Sequence, residues 1–122
     1  MIVEVQKWIY SKLASLGYNV YDEVPSGADM PYIVIGDDAI IDDSDKVKQG
    51  LEDSVNIHVW SDYRGYKELK EIVDAIVSAL NFESGTQDSV NIELCLLDNI
   101  SVIREEDARH AIVRFKIKVK EV

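Results

Sequence analysis

The chain has only two histidines, His58 and His110, so any Ser–His–Asp or Cys–His catalytic set must be built on one of them. His58 opens the run His58-Val59-Trp60-Ser61-Asp62, which contains the residue types of a hydrolase. The spacing opposes that chemistry. On a strand His58 and Trp60 share one face while Ser61 points the other way, and no glycine-framed nucleophile turn surrounds the serine. His58 therefore reads as a surface histidine on the solvent side of a strand. Cys95, the sole cysteine, lies in Leu94-Cys95-Leu96-Leu97 with no histidine near it in sequence. A reactive thiolate needs an electropositive, accessible pocket, so Cys95 reads as a small buried or half-buried side chain. Asp37, Asp38, Asp42, Asp43 and Asp45 are dense enough to attract a hard cation. They lack the alternate spacing, central glycine and distal glutamate of a calcium loop, and read as a solvated hairpin. No catalytic, cofactor or metal residue is expected.

The remaining pattern suits binding. Arg114, Lys116, Lys118 and Lys120 line one face of the last predicted strand in a chain of net charge −10. One reading is a solvent-facing strand or a lysine-guarded sheet edge. The other is a basic stripe that meets the acidic tip Asp42, Asp43 and Asp45 of an adjacent copy. Opposite patches on different flanks of one molecule favour head-to-tail contacts, which close into rings when the rotation permits. Trp60, whose parity faces away from Val55, Ile57 and Val59, is the aromatic candidate for the same interface.

The elements that position these groups follow from periodicity. Ile2, Val5, Ile9, Leu13 and Leu16 fall at helical spacing with Gly17 after them, which predicts a helix over 2–16. Residues 19–21 suit a short strand. Pro31 launches an extended run, Tyr32 to Ile35 and Ala39 to Ile41, bulged near Gly36 and followed by a polar tip over 42–50. Val55, Ile57 and Val59 alternate as the inner face of a second long strand. The stripe Leu69, Ile72, Val73, Ile76, Val77 and Leu80 predicts a helix over 64–81, then a linker to Ser89. Val90, Ile92, Leu94 and Leu96 alternate inward, with a bulge at Asp98 before Ile100 and Val102, and Ala111 to Val119 completes a hairpin. The fold class is α+β: two helices on one face of a mainly antiparallel sheet of about four long strands, order α-β-β-α-β-β, in a single domain over 1–122.

Length and composition agree. A 122-residue chain, 47% hydrophobic and 30% charged, suits one folded domain. The surplus of negative charge argues against specific nucleic-acid binding. One cysteine fits a reducing cytoplasm. The first residues lack a signal-peptide pattern, and no apolar run approaches membrane-spanning length.

Several segments form one ordered pattern: a leading helix, Val20-Tyr21-Asp22, the loop Val24-Pro25-Ser26-Gly27, and Pro31-Tyr32-Ile33 entering a strand with Gly36 beyond. His58-Val59-Trp60-Ser61 ends the next strand, an Arg64-Gly65 turn enters a helix, and Ala111-Ile112-Val113-Arg114-Phe115 lies on the last strand. Taken in that order, the segments resemble the tail completion proteins of long-tailed phages, also called tail terminators or tail-to-head joining proteins. The acid-rich stretch Asp37 to Asp45 and the segment 81–89 depart from the pattern. The resemblance implies a non-enzymatic structural protein without cofactors, assembled in the host cytoplasm and carried in the virion tail. It implies a ring, typically a hexamer, at the head-proximal end of the tail tube, which stops tube polymerisation and joins the tail to the head. The implied partners are other copies of the chain, the major tail tube protein and the head–tail connector or neck protein, with DNA passing through the ring. Negative charge lining such a channel would repel the passing DNA. Two other readings stand beside it: another neck adaptor, or a small cellular ligand-binding or enzymatic domain with a deep pocket lined by His58, Asp62 and Cys95.

Overall fold

The helical stripes form as their spacing dictates. In the computed structural model, which describes residues 1–122, helix α1 spans Ile2–Ala14 and buries Val5, Trp8, Ile9 and Leu13. Gly17, at φ +90°, turns the chain away after it. Helix α2 spans Lys67–Leu80 and buries Leu69, Ile72, Val73, Ile76 and Leu80. Its outer positions are polar, so packing one stripe on the sheet satisfies the whole helix.

Six strands make one mixed sheet: β1 (Asn19–Tyr21), β2 (Tyr32–Asp42), β3 (Gly50–Ser61), β4 (Gly85–Gln87), β5 (Val90–Arg104) and β6 (Arg109–Glu121), ordered β1-β2-β3-β6-β5-β4. Only β1 pairs in parallel, with Tyr32 to Val34; every other neighbour is antiparallel. The four expected long strands are present. The short strand expected over 19–21 is β1. The expected order α-β-β-α-β-β, which left it out, is corrected by β1 at one edge and by β4, which forms inside the segment read as a linker.

Both helices share one core with the inward residues of the sheet: Ile33 and Ile35 of β2, Val55, Ile57 and Val59 of β3, and Ala111, Val113, Phe115, Ile117 and Val119 of β6. The bulge expected near Gly36 is a register shift between Ile35 and Asp38. The shift expected at Asp98 lies between Leu97 and Asn99. A further shift between Ile92 and Leu94 was not foreseen, and it changes the face of the residues after it. Cys95 is thereby fully buried, while Leu94 and Leu96, read as inward, turn to the other face.

Candidate functional site

The face of the sheet opposite the helices carries no layer over it, so it is the broadest surface on which function can be built. The cross-strand register lays its side chains in rows. Near one end Tyr32, Trp60, His110 and Ile103 lie side by side, followed by Val34, His58, Ile112 and Ser101. Further along, Arg114 sits between Asn56 and Asn99, Lys116 between Ser54 and Leu96, and Lys118 between Glu52 and Leu94. Arg114, Lys116, Lys118 and Lys120 thus share one face as their alternation predicts. They stand on β6, a central strand, so the alternative of a lysine-guarded edge is corrected.

At the aromatic end four titratable groups form a chain. His58 Nε2 lies 2.9 Å from Asp37 Oδ1, His58 Nδ1 lies 2.8 Å from His110 Nε2, and His110 Nδ1 lies 3.5 Å from Glu105 Oε1. Trp60 stacks on His110 at 3.9 Å between ring centres and 8° between planes. Hydrogen bonds from Asn56 and His58 hold the Asp37 carboxyl below its usual pKa, so it accepts and His58 carries its hydrogen on Nε2. With both rings neutral, His58 Nδ1 accepts from His110 Nε2–H, which leaves a bare lone pair on His110 Nδ1 facing Glu105. That nitrogen is buried without a partner. Burial pushes the His110 pKa down, and Glu105 opposes the shift.

This relay has no nucleophile within reach. Ser61 lies on the buried side, 1% exposed, and its hydroxyl donates to Glu68 at 2.7 Å. Burial, then the charge of Glu83, pushes the Cys95 thiol up to about 12, which makes it inert. His58 lies on the open face, Cys95 in the core and Asp62 in the loop after β3; no cavity includes any of the three. The largest hollow, about 680 Å³, runs between α1 and β1 and is lined by Val3, Tyr10, Tyr21 and Ile35 among others, without a histidine or cysteine.

The expected separation of the acidic tip from the cationic strand is overturned. Because β3 pairs with β6, Gly50 lies opposite Lys120, and Lys120 Nζ donates to the Asp43 carbonyl at 2.7 Å and reaches the Asp45 carboxylate at 3.6 Å. Asp45 also accepts from the backbone N–H groups of Val47 and Lys48, which lowers its pKa. Asp42 accepts from the Ser44 hydroxyl. This tip is already partnered inside one protomer, whereas Lys116 and Lys118 form no ion pair. Trp60 sits on the open face as expected, half-covered by His110.

Two groups escaped the sequence reading. Asp53, 2% exposed, points inward from β3 beside Asp38; burial, and then Asp38, pushes its pKa up to about 7. Its inward parity with Val55 and Ile57 was a signal for this. The meeting of His58 with His110 needed the β3–β6 register, which parity alone does not supply.

A family model described as Tail completion protein gp17 matches residues 11–120. Among solved structures, a chain from the "Virion of native gene transfer agent (GTA) particle" is similar, with a TM-score of 0.82 and 25% sequence identity over 92% of this chain and 91% of that one. No curated protein sequence matches.

Proposed function

The chain belongs to the tail completion protein family, structural proteins of the phage-type virion tail, and from that membership we propose that copies of it form a ring at the head-proximal end of the tail tube. In this role the ring ends tube polymerisation and joins the tail to the head. Its partners are other copies of the chain, arranged as a hexamer, the major tail tube protein and the head–tail connector or neck protein. DNA passes through the ring without being bound specifically, consistent with a net charge of −10.

The observation that carries this reading is the bare sheet face. A 122-residue protein that buries its core against two helices and leaves a six-stranded sheet open on the other side has one surface kept for partners. On that surface Lys116 and Lys118 are free of ion pairs, and Trp60, Leu94 and Leu96 supply apolar area. Arg114 and Trp60 stay in the proposed partner surface. Asp42, Asp43 and Asp45 leave it, because their tip is engaged with Lys120.

The test is electron microscopy of the purified protein mixed with tail tubes that lack a terminator. Caps at one tube end, and tubes that no longer elongate, support the role. Binding to connectors alone indicates another neck component, and binding to neither overturns the reading.

A further inference from the structure

The two edges of the sheet are each left bare over a matching length. On one side β1 covers only Tyr32 to Val34, so β2 has no outer neighbour from Gly36 to Asp42. On the other, β4 covers Val90 to Ile92, and the backbone of Phe82 and Glu83 and the side chain of Asn81 take the edge groups of Cys95 and Leu97. Beyond them β5 has no outer neighbour from Asp98 to Arg104. Asp37 to Asp42 and Asp98 to Arg104 are exposed throughout. Ile40, Ile41, Ile100, Val102 and Ile103 are among the exposed large apolar residues. Neither stretch contains a lysine or proline, and the charges that guard them, Asp37, Asp38 and Asp42 on β2 and Asp98 and Arg104 on β5, flank uncharged centres at Ala39–Ile41 and Asn99–Ile103.

The directions of the strands say what fits. From β2 through β3 and β6 to β5 the directions alternate, so β5 of one copy runs antiparallel to β2 of a copy placed beside it. We infer that β5 residues Asp98–Arg104 of one copy pair with β2 residues Gly36–Asp42 of the next, continuing one antiparallel ladder from subunit to subunit. The inference rests on the ring proposed above and names its contact. Setting the midpoints, Ser101 and Ala39, opposite one another keeps the faces in phase. Ala39 is on the open face beside Ser54, and Ser101 is on the open face beside Ile112. On the helix side the same register brings Ile100 against Ile40, an apolar cross-strand pair. The one like-charge pair, Asp42 with Asp98, falls at the fringe.

The offset also suits closure. Ala39 is level with Lys116 through Ser54, while Ser101 is level with Ile112. The four-residue difference is about 13 Å along the strands, against roughly 19 Å for four strand spacings. Each step then inclines the strands by about 35°, within the tilt at which sheets close on themselves. The contact joins unlike edges, so it propagates head to tail and has no self-complementary dimer to stop at.

The experiment is an oxidative cross-link. Within one protomer Ala39 and Ser101 are roughly 20 Å apart, far beyond the reach of a disulfide, so Ala39→Cys with Ser101→Cys can bridge only between copies. Cys95 is fully buried and does not compete. The expected result is a ladder of covalent multimers on a denaturing gel, rising to the ring's copy number. Ile100→Lys, at a residue already 42% exposed, is expected to keep the fold by circular dichroism and to weaken self-association on the order of tenfold or more. Asp98→Asn is expected to tighten it about threefold. A wild-type protein that caps tubes, while the paired cysteine variant gives no multimers and Ile100→Lys assembles normally, overturns the edge contact and leaves the proposed role intact. A wild-type protein that neither self-associates nor caps tubes removes the role itself.

Discussion

The two long hairpins, β2–β3 and β5–β6, both end in acidic tips, yet one tip is closed and the other open. At 42–49 the Asp42 carboxylate is held by Ser44, the Asp45 carboxylate by Lys120 and the tip's own backbone N–H groups, and Lys120 also takes the Asp43 carbonyl. At 105–108 Glu106 and Asp107 have no ion pair, and Glu105 has only the His110 ring beside it, 3.5 Å from Nδ1. The nearest cations in sequence, Arg104 and Arg109, turn instead to Tyr66. Their guanidinium groups lie 5.7 and 5.3 Å from its ring centre, and Arg104 Nε donates to its hydroxyl at 3.1 Å. The lesson is that acidic residues in a sequence are not free charge. Whether a tip is available to partners depends on which side chains the neighbouring strand brings beside it.

Opposite responses to pH should separate the hairpins most. Asp53, in β3, has a folded pKa of about 7 against an ordinary 3.8, so its contribution to stability is full below pH 3.8 and is lost as pH rises through 7. Asp53→Asn should therefore raise the melting temperature by several degrees at pH 8 and leave it nearly unchanged at pH 4, read by thermal unfolding. His110, in β6, has a lowered pKa, so its contribution is present above pH 6.5 and is lost as pH falls through the folded value. Replacing it with Phe, which keeps the stack on Trp60, should flatten the stability profile below pH 6.5 and leave the alkaline side as it was. Equal behaviour of the two variants would dissolve the distinction.

A steric change comes next. A Cβ on Gly50 would sit 2.8 Å from the Asp43 carbonyl and 2.7 Å from Lys120 Cδ, so Gly50→Ala should cost about 1–3 kcal/mol in denaturant unfolding by forcing the closed tip apart. The smallest effect belongs to the tips' charges. Lys120→Met should lower the melting temperature by about 2 °C, while Glu106→Gln with Asp107→Asn should lower it by less than about 1 °C. A larger loss at 106 and 107 would mean that this tip, too, is engaged within the protomer.

Much of this frame was legible because burial writes a period. The stripes of α1 and α2 and the alternations of β3 and β6 each announce a face, and the placement of Trp60, Arg114, Lys116 and Lys118 together on the uncovered side follows from parity. What parity cannot supply is the identity of the neighbour. Lys120 meets Asp45 across 75 positions of sequence only because β6 inserts between β3 and β5. One extra residue between Ile92 and Leu94 reversed the faces of Leu94, Cys95 and Leu96, and nothing in their composition marks it. The three residues of β4 are too few to show any period.

The bulge positions carry a consequence for how such a subunit can change size. From Ile100 to Arg104 β5 pairs with β6 without a break, so the bare edge is set at a fixed height above the core by a count of residues rather than by a flexible joint. Lengthening that hairpin by one residue on each strand would turn every outward side chain beyond the insertion inward, whereas two residues on each strand would restore the faces and raise the edge by about 7 Å. Without a further bulge, spacing built this way changes in even increments, so related chains that keep the pairing unbroken there should differ by pairs of residues.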